Sequence, residues 1–319
     1  MSRASQEKIE NIGVRTLKYQ DANRGRPLVV ELWYPTSAQG PFEDSGASVW
    51  IHPKEIREGS FLETPHKIPL IVMSPGNRGD RREASWLASR LVQSGFAVAT
   101  IDHYGNAWES YHSLISVRFW ERTRDISFLL DQLLQEPFLQ DRIDGNRIGF
   151  VGYSMGGMTG LGLVGARAQK VKEIVLHLME KDQGLTPEGV EKIDFTESEG
   201  SFRDPRVKAI FLICPAVFAY TPESLRQIKV PVGLVAAIHD EVLPYREHSY
   251  QLIKHLTPYK LKIIRKKVSH FSFLNQMSEV GKKTFYKVVQ NDPPSCNRGD
   301  VHREVGPVVA QFFQDTLKN

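Results

Sequence analysis

Cysteine is scarce in this chain: the 319 residues hold only Cys214 and Cys296. Two cysteines make no disulfide framework, and no zinc-ligand spacing of cysteines occurs anywhere. Cys214, inside the apolar run AIFLICPA, reads as a core thiol and Cys296 as a residue of a Pro-rich loop, so a reducing compartment is the default. Long apolar runs are missing too. None approaches the roughly 18 residues of a membrane-spanning helix, and the opening MSRASQEKIENIG lacks the apolar stretch of a signal peptide. The expectation is a cytoplasmic chain with no stable membrane insertion. Charge of one sign is sparse. The formal net charge is +4, and only KLKIIRKK, residues 260–267, is dense in Lys and Arg. Ile263, Ile264 and Val268 interleave with those residues, so the stretch reads as a strand with a solvated face, and no nucleic-acid partner is expected. Repeats and low-complexity tracts are absent, and nothing in the chain fixes an oligomeric state.

What is there is enough apolar sequence, 41%, to bury a large core. Val14–Gln20 and Leu28–Tyr34 alternate like strands around the turn-forming Asn23-Arg24-Gly25-Arg26-Pro27, which predicts an antiparallel hairpin. Ile68–Met73, Phe96–Ile101, Ile148–Val151, Val207–Cys214, Val230–Ile238 and Leu261–Val268 are short apolar runs. Helical stripes separate several of them, including Ile126, Leu129, Leu130, Leu133 and Leu134, and a last one follows at Val305, Val308, Val309, Phe312 and Phe313. Strands alternating with helices predict one α/β domain over 1–319, built on a largely parallel sheet. Residues 37–66 and 178–206, rich in Gly, Ser, Pro and charge, are expected to be insertions over the surface.

The most informative stretch is Arg147–Gly157, RIGFVGYSMGG. A β-favouring run ends in Gly152-Tyr153-Ser154-Met155-Gly156, the GxSxG pattern of a nucleophile elbow. There a strained turn between strand and helix exposes a serine, and the flanking glycines let neighbouring backbone approach.

A serine hydroxyl is a weak nucleophile at neutral pH, so Ser154 needs a base and an acid to orient that base. Elbows of this kind take them in the chain order Ser, acid, His. Asp240, at the end of a predicted strand in VGLVAAIHDEVLP, is the expected acid; the alternatives are a helix-capping role for Asp240, or Glu241, one residue deeper in the loop. His270, in KVSHFSFL just past the next strand, is the expected base. His239 adjoins the acid, His255 falls in a helical stripe, His302 lies near the final helix, and His103 and His112 precede the serine.

An oxyanion needs two preorganised backbone donors. Met155, at the start of the helix after the nucleophile, is expected to give one N–H. Asn77, in Ser74-Pro75-Gly76-Asn77 after the strand at Ile68, is expected to give the other, with a plain Pro-Gly turn as the alternative. Trp108, Trp120 and the 178–206 insertion are candidate pocket walls; ordinary core or surface positions are the alternative for the two tryptophans.

Together the elbow, SPGNRGDRREASWLA, IDHYGN, HDEVLP and SHFSFL resemble the α/β-hydrolase superfamily, in particular its dienelactone-hydrolase-like and platelet-activating-factor-acetylhydrolase-like members. The resemblance runs from RGRPLVVELWYP through WERTRDISFLLDQLL to the final helix. It implies an α/β-hydrolase fold: a mostly parallel twisted sheet flanked by helices, an N-terminal antiparallel hairpin and lid-like insertions. It also implies Ser154 as nucleophile, Asp240 as acid, His270 as base and Asn77 and Met155 as oxyanion donors. Pro75-Gly76 stands where such proteins commonly carry His-Gly, which alters the loop more than the backbone donor after it. Dienelactone hydrolases use a cysteine nucleophile, whereas this elbow carries Ser154. The expected activity is therefore hydrolysis of small carboxylic esters through an acyl-enzyme, with no metal or organic cofactor. A hydrolase-fold protein that binds a ligand without turnover is the reading from another class, and thioesterase, lipase or peptidase activity would use the same residues.

Overall fold

In the structure, a computed structural model, residues 9, 11–44, 46, 48–180, 182, 184–256, 259–264, 267–285, 287–290 and 292–317 are described. The first strands, β1 (Asn11–Asp21) and β2 (Arg26–Thr36), pair antiparallel through a turn at 22–25, the expected hairpin carried further at its outer ends. After β3 (Ile56–Arg57) come β4 (Ile68–Ser74), β5 (Ala97–Asp102), β6 (Ile143–Tyr153), β7 (Val207–Ile213), β8 (Val232–Ala237) and β9 (Tyr259–Ile264). They form one nine-stranded sheet in the order β3-β1-β2-β5-β4-β6-β7-β8-β9. β2 meets β5 antiparallel, and from β5 to β9 every neighbouring pair is parallel. The expected strand from Leu261 ends at Ile264; Arg265 and Lys266 lie outside the described residues, as do residues 1–8 and 10 of the opening stretch.

The parallel strands are apolar on both faces because helices cover both. Leu70 and Val72 point to one side, against Ile126, Leu129 and Leu133 of helix Trp120–Gln135. Ile71 and Met73 point to the other, against helices Ser85–Val92 and Arg298–Thr316 through residues such as Leu87, Leu91, Val305 and Phe313. β9 places Lys262 2.9 Å from Glu304 and Lys260 3.8 Å from Asp315, so acids of the last helix answer two of the clustered lysines. The 37–66 excursion is irregular apart from β3, which the sequence pattern did not reveal. The second excursion is more ordered than expected. Helix Val171–Met179 leads into it and helix Pro187–Glu191 lies within it, burying Val171, Val175 and Val190 in a third apolar cluster with Trp120. No helix among the described residues is long and apolar enough to cross a membrane.

The sheet order reverses at β4. β5 lies on one side of it and β6 on the other, so the loops leaving the carboxyl ends of β4 and β6 run opposite ways and leave a crevice, the usual ligand position in open α/β sheets. Ser74 at the end of β4 pairs with Gly152, two residues before Ser154.

Candidate active site

Ser154 sits in that crevice, between β6 and helix Met155–Leu163, at φ 55° and ψ −117°, a strained conformation for a residue with a side chain. The neighbouring backbone imposes it. The Ser154 N–H donates to the Ile213 carbonyl at 3.0 Å, and the Ser154 carbonyl accepts from Ala216 N–H at 3.0 Å. A Cβ at Gly152 would lie 2.2 Å from the Gly156 carbonyl oxygen, and one at Gly156 would lie 2.1 Å from the Ser74 carbonyl oxygen, so both glycines of the motif are sterically required.

The loops after β8 and β9 bring the two distant residues to the serine. His270 Nε2 is 2.9 Å from Ser154 Oγ, and His270 Nδ1 is 2.7 Å from Asp240 Oδ2. Because a carboxylate only accepts, Nδ1 carries the proton and Nε2 faces the hydroxyl as a lone pair. The other oxygen of Asp240 accepts from the N–H groups of Val242 and Leu243 at 3.0 and 2.7 Å, which locks the carboxylate within its own loop. That local bonding is what a capping reading anticipated, but it turns a loop, not a helix. Glu241 does not reach the ring and instead accepts the backbone N–H of His270. Tyr153 stacks on the imidazole with ring centres 5.1 Å apart, and its hydroxyl donates to the His270 carbonyl at 3.0 Å. His255 and His302 lie elsewhere, the latter stacked on Trp86.

Met155 opens its helix, where a backbone N–H has no intrahelical acceptor. In the loop after β4, the Gly76 N–H donates to Glu83 Oε1 at 2.9 Å, and the next residue, Asn77, lines both spaces beside Ser154. Among the described residues neither the Met155 nor the Asn77 N–H donates to another protein group. Both residues line the space beside Ser154.

Two cavities flank the serine. The smaller, about 240 Å³, lies on the His270 side and is walled by Trp50, Trp108, Phe271, Leu274, Phe285 and Val289. The larger, about 600 Å³, is walled by Met155, Val117, Phe119, Phe218 and, from the second excursion, Leu178, Asp182 and Leu185. Trp108 thus stands at the site, 5.3 Å from the Phe285 ring centre. Trp120 does not: it is 3% exposed and packs on Phe119 and Phe195, because it starts a helix whose apolar face turns to the core.

Sequence reasoning missed a buried polar array beneath the loop after β4. Ser74 Oγ is 2.9 Å from His103 Nε2, and His103 Nδ1 is 2.9 Å from Asp125, which Arg26 grips through two bonds of 2.7 Å. Burial drives the His103 imidazole down to about 3, so it is neutral. Burial opposes the charge of Asp125, but bonds from His103 and Arg26 outweigh it and hold this carboxyl below the usual range. Arg122 is fully enclosed in the same array, and burial pulls its guanidinium down to about 9. Burial, and next the neighbouring Asp80, push the Glu83 carboxyl up to about 8. The available signal was positional: Arg122 shares a helix face with Ile126, Leu129 and Leu133, where a charge is out of place. Among the described residues, no group of three or more His, Cys, Asp or Glu side chains is placed to hold a metal ion.

A family model described as PETase, PET hydrolase-like, matches residues 60–177, a stretch that holds Asn77, Ser154 and Met155 but ends before Asp240 and His270. A bis(hydroxyethyl) terephthalate hydrolase of Streptomyces coelicolor is 30% identical over 112 residues, 35% of this chain and 31% of that protein. Cutinase 2 of Thermobifida cellulosilytica is 30% identical over 89 residues, 27% of this chain and 30% of that protein. The chain thus spans about a third of the length of the curated relatives it matches. Among solved structures, a ferulic acid esterase from Streptomyces cinnamoneus superposes with a TM-score of 0.65 at 22% identity, covering 98% of this chain and 92% of that one. The chain has the α/β-hydrolase fold, and over 60–177 it is similar to PET hydrolase-like proteins.

Proposed function

We propose that the protein is a serine hydrolase that cleaves small carboxylic esters through an acyl-enzyme. The observation that carries this reading is the bonded line Asp240 Oδ2, His270, Ser154 Oγ, at 2.7 and 2.9 Å. The names of the similar proteins, each an ester hydrolase or cutinase, support the same reaction class. Ser154 Oγ attacks the ester carbonyl while His270 Nε2 takes its proton, and Asp240 stabilises the imidazolium that forms. The N–H groups of Met155 and Asn77 receive the oxyanion. As the tetrahedral intermediate collapses, His270 returns the proton to the leaving alcohol, and a water activated by the same imidazole releases the acid. The small aromatic cavity holds one compact group of the ester, in keeping with the acetylhydrolase-like resemblance, while the 178–206 insertion acts as a partial lid over the larger one.

The test is incubation with a fluorophosphonate followed by mass spectrometry, alongside turnover of p-nitrophenyl esters of increasing acyl length, a thioester and a peptide amide. The expected result is one adduct on Ser154 and turnover of short esters, both lost in Ser154→Ala. A folded protein that forms no adduct and turns over none of these substrates would overturn the proposal in favour of ligand binding without chemistry.

A further inference from the structure

Arg122 is 2% exposed, and each of its hydrogen bonds runs to a neutral oxygen. Enclosing a guanidinium this way gives up much of its hydration, and an apolar side chain of similar volume would fill the space without that loss. The return lies in what the planar fork holds. Nη2 donates to the Pro75 carbonyl at 2.5 Å and to Ser74 Oγ at 3.0 Å, in the loop that carries Asn77. Nε donates to Thr159 Oγ1 at 3.2 Å, one turn into the helix that begins with Met155. Nη1 donates to Asn106 Oδ1.

We propose that Arg122 is a positioning residue that sets the spacing of the two oxyanion donors; this rests on the reading of Asn77 and Met155 given above. One rigid group ties the Asn77 loop to the Met155 helix, through Ser74 and Pro75 on one side and Thr159 on the other. The tolerance there is small, since the Ser74 and Pro75 carbonyl oxygens lie 2.1 and 2.8 Å from where a Cβ of Gly156 would stand. Arg122 also decides an orientation. A guanidinium only donates, so Asn106 must present its carbonyl to Arg122 and its amide to Asn77 Oδ1, which it reaches at 2.7 Å. Ser74, receiving from Arg122, is left to donate to His103 Nε2, and the proton order continues from His103 Nδ1 to Asp125. Every proton in the array therefore has one direction, fixed at one end by Arg122 and at the other by Arg26. A positive charge behind the loop adds to the attraction for a developing oxyanion.

The experiment compares wild type with Arg122→Lys, Arg122→Met and Asn106→Ala, each checked for folding by near-ultraviolet circular dichroism. The readouts are kcat and KM for a p-nitrophenyl ester and the inhibition constants of phenylboronic acid, which forms a tetrahedral adduct, and of p-nitrophenol, which does not. Loss of one oxyanion donor typically costs about 100- to 1,000-fold in kcat, so displacing the donors is expected to cost roughly 10- to 100-fold. KM and p-nitrophenol binding should stay within about threefold, while boronate affinity falls with kcat. Lysine, which keeps the charge but loses the fork, should recover only part of the loss. Folded variants with unchanged kcat, or with the loss confined to KM, would overturn the proposal. If Arg122→Met does not fold, Arg122→Lys decides, since it keeps the charge but loses the fork that bonds Ser74, Pro75 and Thr159 together. A wild-type protein that neither labels nor turns over ester fails the underlying reading, a different result from an active wild type with indifferent variants.

Discussion

Glu241 grips the backbone N–H of His270 with both carboxylate oxygens, each at 3.1 Å, while its neighbour Asp240 holds the ring of the same histidine at Nδ1. Adjacent acids thus act on one residue at different levels: one sets where the backbone turns, the other which nitrogen carries the proton. Asp240→Asn should lower kcat by roughly 10³- to 10⁴-fold with little effect on folding, because the wrong tautomer then faces the serine. Glu241→Gln keeps an oxygen for the N–H and should cost less than about tenfold in kcat and about 1 kcal/mol in stability, given its exposed position. Ester kinetics and thermal melts of the two variants decide, and a Glu241 variant as damaged as the Asp240 one would reverse the assignment.

The strain at Ser154 makes a separate prediction. Ser154→Ala and Ser154→Gly both remove the hydroxyl and should both be inactive, but only glycine is at ease at φ 55°, ψ −117°. Backbone strain of this kind is worth about 1–3 kcal/mol, offset in part by the extra freedom of glycine in the unfolded chain. The glycine variant should therefore be more stable than the alanine variant by about 1 kcal/mol in denaturant titrations. The opposite order would mean that the elbow stores no strain.

Glu83 is 5% exposed, and its carboxyl is raised to about 8 against an ordinary 4.5, chiefly by burial and next by Asp80, with Arg122 pulling the other way. A carboxyl raised on folding contributes stability that is complete below about pH 4.5 and is lost as pH climbs to about 8, because over that range the unfolded chain gains by ionising while the buried carboxyl keeps its proton. Glu83→Gln keeps an acceptor for the Gly76 N–H and carries no charge at any pH. Its melting temperature relative to wild type should rise steadily from about pH 5 to about pH 9, by an amount worth a few kcal/mol at most, since a tenfold change in an acid constant corresponds to ~1.4 kcal/mol. A difference that stays constant across that range would contradict a neutral Glu83.

Which parts of the site were legible follows from range. Ser154, Asp240 and His270 each stand just past an apolar run, and the alternation of runs places such ends on one edge of a parallel sheet, so local pattern and chain order were enough to bring them together. The Arg122 array had no such handle. Its bonds to Ser74 and Pro75 span 48 and 47 residues, and nothing local to either segment announces the other. Helix Val171–Met179 shows a second kind of loss. Its stripe of Val171, Ile174, Val175 and Leu178 is regular, but it runs into an acidic, Gly-containing stretch whose composition dominates the reading. β3, only two residues long, has no periodicity to detect.

The two tryptophans offered as pocket walls are alike in sequence and separate in the structure, and their variants should separate as well. Trp108 is partly exposed and faces the cavity on the His270 side, so Trp108→Ala should enlarge that space, moving the preferred p-nitrophenyl ester toward bulkier groups at a modest cost in stability. Trp120 is enclosed between Phe119 and Phe195. Trp120→Ala should leave a core cavity and cost about 3–5 kcal/mol in stability while the ester profile of the remaining folded protein keeps its wild-type shape. Profiling both variants across acyl lengths, with denaturant melts on the same samples, distinguishes a wall from a core residue. A shifted profile in the Trp120 variant would mean that the third apolar cluster and the larger cavity act as one unit, with Phe119, which touches Trp120 and lines that cavity, as the link.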